Sequence, residues 1–132
     1  MSAQPHRDLM LAQALATDPT SVATARAAVA RSFAGLPDEV VQDAQLLVSE
    51  AVSDAVRTSG QAADEPLRLA GFLVEDTVRI EVEQAGRRRV VETAGDDHFA
   101  LTILDRVASR WGHEHRGSSS TTWFELDLAR SG

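Results

Sequence analysis

The chain has 132 residues, 43% of them hydrophobic, with a formal net charge of −7, which suits one domain with one core and is too apolar for a disordered chain. The acidic balance disfavours nucleic acid and anionic membranes as partners, tolerates a basic protein partner and helps solubility. With no cysteine, no apolar run near the roughly 20 residues of a membrane helix and a polar start, the chain reads as cytoplasmic and without disulfides or thiolate metal sites.

Residues 1–8 read as a flexible tail and 9–130 as a single domain, with a short strand over 9–16. Asp18-Pro19 predicts a helix start, an acceptor at the cap and a proline in the first turn. Good helix formers continue to Phe33, and Gly35 ends the element. Pro37-Asp38 opens a second helix to about Thr58. Its apolar residues, from Val40 and Val41 through Ala44, Leu47, Val48, Ala51 and Val52 to Ala55 and Val56, fill half of its surface. Ser59-Gly60 ends it, and 61–66 is a polar loop. Strands follow over 67–74 and 78–84, around a turn at Glu75-Asp76. Val78, Ile80 and Val82 share one face, and period two places Gln84 on it. The pattern then predicts a short strand over 87–92, a turn over 95–97 and a helix over 99–111 stopped by Gly112. Strands over 113–115 and 121–128 flank a turn at 117–120. The order is strand, helix, helix, hairpin, helix, hairpin. It predicts an α/β two-layer sandwich, with a mainly antiparallel mixed sheet covered on one face by about three helices.

Several residues carry candidate chemistry. Glu50, Asp54 and Arg57 are spaced by four and three, so they share one stripe of the second helix. Two carboxylates one turn apart suit a magnesium ion or a base. Asp43 and Glu39 continue the stripe, so a solvated acidic face is the alternative. Gln84 has an amide able to recognise a ligand edge, or simply a strand end that meets water. Arg87, Arg88 and Arg89 suit phosphates or an acidic partner, or form a solvated loop. His113 and His115 point the same way on a strand and, with His98, are a weak zinc pattern. Ser118 to Ser120 is a polar turn, and Trp111 and Trp123 read as packing residues.

Two stretches gain meaning together: LLVSEAVSDAVRTS over 46–59, and the segment over 101–126 that contains ILDRVASRWG and ends in TTWFEL. Both resemble the anti-sigma regulatory factor family of histidine-kinase-like ATPases (GHKL, Bergerat fold) of actinobacterial type. The DPTSVATAR stretch and the following GLP are similar too, so the resemblance covers nearly the whole chain. It implies ATP held with magnesium between helices and sheet under a lid, and serine/threonine kinase activity toward an anti-sigma-factor antagonist. Glu50 matches the glutamate that activates water or a hydroxyl. Asp54 stands where the family has its magnesium-binding asparagine, and Arg57 follows in the same motif. Gln84 replaces the adenine-binding aspartate, and Gly86 matches a glycine that follows it. His98, Phe99, Ala100 and Leu101 occupy the second glycine motif without its glycines. Thr121 or Thr122 matches a threonine that supports the adenine pocket.

These departures have physical consequences. Asp54 still suits magnesium but adds negative charge beside a triphosphate. Gln84 loses the charge-assisted part of an adenine hydrogen bond. The absent glycines remove the close backbone approach that cradles phosphates. The expectation is an anti-sigma-factor-like regulator acting through protein binding, with a sigma factor or an antagonist as partner and ATP binding weakened or lost. An active kinase, with Glu50 as base and Asp54 on magnesium, and an ATP sensor without transfer are the alternatives. The family resemblance also implies a homodimer.

Overall fold

A computed structural model describes residues 7–59, 64–86 and 96–129, with 96–101 described as backbone. Helix α1 spans Ser21–Ser32, α2 Asp38–Thr58 and α3 Asp96–Val107. Strands β1 (Arg7–Leu15), β2 (Leu67–Val74), β3 (Thr77–Ala85), β4 (Arg110–Arg116) and β5 (Ser119–Asp127) form one sheet in the order β1-β2-β3-β5-β4. All four pairings are antiparallel, and the helices cover one face. The expected two-layer sandwich is present.

Helix α2 organises the core. Pro37 supplies the first carbonyl, which accepts from the Val41 N–H at 3.1 Å, and Asp38 and Glu39 complement the helix dipole in the first turn. Ala44, Leu47, Val48, Ala51, Val52 and Ala55 are all buried. They meet Val78, Ile80, Val82, Phe124 and Leu126 in the same apolar cluster. Period two in β3 and β5 thus supplies one wall and the 3.6-residue period of α2 the other.

Several boundaries differ from expectation, among them β5, which already begins at Ser119 inside the expected turn because Ser119 and Ser120 pair with Ala85 and Gln84. Strand β1 begins at Arg7, which pairs with Val74, so Arg7 and Asp8 belong to the sheet and not to the tail. Helix α1 starts at Ser21: Asp18 accepts at 2.7 Å from the Thr20 N–H and at 2.7 Å from its hydroxyl, forming a turn ahead of the helix. Residues Asp96 and Asp97 lie in α3 rather than in a turn. At its other end α3 stops at Val107, because the Ser109 N–H donates to the Glu125 carbonyl at 2.8 Å and draws the chain into the sheet. Trp111 and Gly112 are therefore strand residues, paired with Phe124 and Trp123. The expected strand over 87–92 lies outside the described residues.

Candidate functional site

The stripe on α2 descends as it goes. Glu39 is exposed, Asp43 and Glu50 are half-buried, and Asp54 is 4% exposed. The last turn of α2 thereby brings its polar groups against the end of β3. Arg57 donates to the Asp54 carboxylate at 3.0 Å. Thr58, fully buried, donates its hydroxyl to the Asp54 carbonyl at 2.7 Å. Its one proton being so used, that hydroxyl accepts from the Gln84 amide nitrogen at 3.2 Å. Gln84 is 2% exposed. The alternation placed it on the apolar face, and the structure agrees, but it does not reach water there.

Glu50 is half-buried, and its side chain makes no hydrogen bond or ion pair among the described residues. Gly86 follows β3 with φ at 77°, and its carbonyl accepts from the Ser120 hydroxyl at 3.2 Å. A left-handed backbone there is why glycine fits this position.

Register separates the two threonines. Thr122 pairs with Val82, which faces the helices, and its hydroxyl lies 2.8 Å from His113 Nδ1. Thr121 pairs with Glu83 and faces away from α2, on the side of the sheet opposite Asp54 and Gln84. The same register puts His113 and His115 on the helix-covered face, in line with Thr122 and Ser120. Among the described residues no three His, Cys, Asp or Glu side chains gather as a metal site, and the His98 side chain lies outside them. Positions 98–101 run as helical backbone inside α3, and nothing is described of the Ala100 and Leu101 side chains. Arg87, Arg88 and Arg89 lie outside the described residues.

The structure thus brings together Asp54, Arg57, Gln84 and Gly86 around the end of α2 and β3, with Glu50 one turn back and Thr122 on the neighbouring strand. Sequence reasoning missed Thr58. Its signal was available, because it lies four residues after Asp54 on a helix. The place of His113 beside Thr122 depends on strand pairing and had no local signal.

Among the described residues, no helix is long and apolar enough to cross a membrane. No family model matches the chain, and no curated protein matches it. Its fold is similar to that of a solved crystal structure of the RsbU and RsbW domains of Rv1364c from Mycobacterium tuberculosis, with a TM-score of 0.72 and 23% identity. The match covers 92% of this chain and 33% of that one, so the likeness is one of fold and spans about a third of the larger protein.

Proposed function

We propose that this chain is an anti-sigma-factor-like regulator that acts by binding protein partners, with ATP binding weakened or lost. The partner is a sigma factor or an anti-sigma-factor antagonist, and the protein works in the cytoplasm. The carrying observation is that Asp54 and Gln84, which match the family's nucleotide contacts, are nearly buried and already bonded within the fold. Arg57 engages Asp54, and Thr58 engages Gln84. Magnesium at Asp54 would have to displace or share a guanidinium, and adenine would have to reach a Gln84 side chain that is 2% exposed. The residues present therefore fit MgATP poorly. The fold shared with a protein carrying RsbU and RsbW domains supports a regulator of this kind.

Glu50 favours a second reading. A half-buried carboxylate without a partner among the described residues suits a general base, as an ATP-dependent serine/threonine kinase requires.

Calorimetric titration with MgATP separates the two. The first reading expects no heat of binding at millimolar nucleotide, and micromolar binding overturns it. If MgATP binds, radiolabel transfer to a candidate antagonist, abolished in Glu50→Ala, establishes the kinase.

A further inference from the structure

The face of the sheet turned away from the helices carries a second feature, apart from the Asp54–Gln84 cluster. Arg68, Glu83, Thr121 and Glu114 form one cross-strand row on β2, β3, β5 and β4. Thr121 is much shorter than the glutamates on either side of it, so the row has a hollow at its centre. Ala70 and Glu81 in the next row extend the hollow into a cavity of about 190 Å³. Thr121 lines this cavity at only 8% exposure, and its side chain makes no hydrogen bond among the described residues. A hydroxyl so placed retains its capacity to accept from a donor entering the hollow.

Three carboxylates surround that hydroxyl. Glu81 is held by Arg79 at 2.8 Å. Glu83 meets Arg68 only at 3.8 Å, with 76% of the Arg68 side chain exposed, and Arg116, which pairs with Glu114 at 2.8 Å, is 73% exposed. Long or exposed pairs of this kind hold weakly and exchange easily. Beside the cavity, a shallow trough over Ala12, Ala14 and Ala70 leaves room for a peptide backbone to lie along the sheet.

We propose that this hollow is a docking pocket for an arginine or lysine side chain presented by a protein partner. A guanidinium or ammonium group brings only donors, and the pocket offers two exchangeable carboxylates beside a nearly buried acceptor hydroxyl. The acidic residues Glu81, Glu83 and Glu114 outnumber the cations Arg68 and Arg116 around the hollow, and the chain's overall charge of −7 favours a basic partner. The inference rests on the proposed protein-binding role for the source of that side chain. Its test does not involve nucleotide, so either can fail alone.

The test is an NMR titration of the full chain with acetyl-Ala-Arg-Ala-amide, and with acetyl-Ala-Gln-Ala-amide at matched ionic strength. The arginine peptide is expected to give saturable amide shifts at Glu83, Glu114 and Thr121 in the millimolar range, and the glutamine peptide none. The surface double variant Glu83→Gln/Glu114→Gln should weaken binding about tenfold, since charge-assisted bonds become neutral ones. Thr121→Val keeps the shape and should weaken it less. Equal shifts with both peptides, or full binding to the double variant, overturn the proposal. So do shifts at these residues that follow protein concentration alone with a doubled mass in sedimentation, because a second copy then covers the face.

Discussion

Asp54 is nearly buried, yet its partner Arg57 keeps 29% of its side chain exposed. The pair is therefore one in which the carboxylate depends on the cation far more than the cation depends on it. Arg57→Leu leaves a buried carboxylate without that guanidinium and should cost about 2 kcal/mol in urea unfolding, less than a fully buried pair because water reaches the site. Asp54→Asn should cost less, since the amide still accepts from Arg57. On the opposite face, burial works to raise the Glu125 carboxyl, but hydrogen bonds from Arg110 and Arg79 outweigh it and hold its pKa below the ordinary 4.5. A depressed carboxylate contributes stability at neutral pH that is lost as pH falls below about 4.5 through the folded-state value. Glu125→Gln should lower stability at pH 7 and flatten its decline in acid, read from unfolding midpoints across that window.

At the scale of elements, strand faces decide which residues meet. Gly71 on β2 faces the helices, where a Cβ would sit 3.1 Å from two ring carbons of Phe33 and 3.3 Å from the Leu11 Cβ. Phe33 follows α1 and is 2% exposed, so this contact seats the α1–α2 corner on the sheet. Gly71→Ala should cost about 1.5 kcal/mol through overpacking, measured as a lower midpoint with unchanged urea slope. The elements themselves were legible: α2, β2 and β3 lie where their periodicities placed them. The misplaced end of α3 has a tertiary cause. Residues 108–111 read as a continuing helix until the Glu125 carbonyl takes the Ser109 N–H, and the Asp127 N–H then donates to the Ser109 hydroxyl at 3.0 Å.

Across the whole molecule, the sheet divides two kinds of chemistry. One face holds the apolar core and, at its far end, the Asp54–Thr58–Gln84 cluster. The other holds a charged network in which Arg79 pairs with Glu81 and Glu125 at 2.8 and 2.9 Å and lies over the Trp123 ring. If the cleft is self-satisfied as proposed, millimolar MgATP should leave the thermal midpoint unmoved, because a ligand that does not bind the native state cannot stabilise it. The sequence alone determined the fold class, the long amphipathic helix and the inward place of Gln84, because these follow from spacings of a few residues within single elements. Only the tertiary structure decided that Thr122 meets His113, that Thr58 joins Asp54 to Gln84, and that Glu83 and Glu114 flank one hollow. Each of those depends on strand register or helix placement, and a one-residue slip in pairing turns every side chain of a strand to the other face.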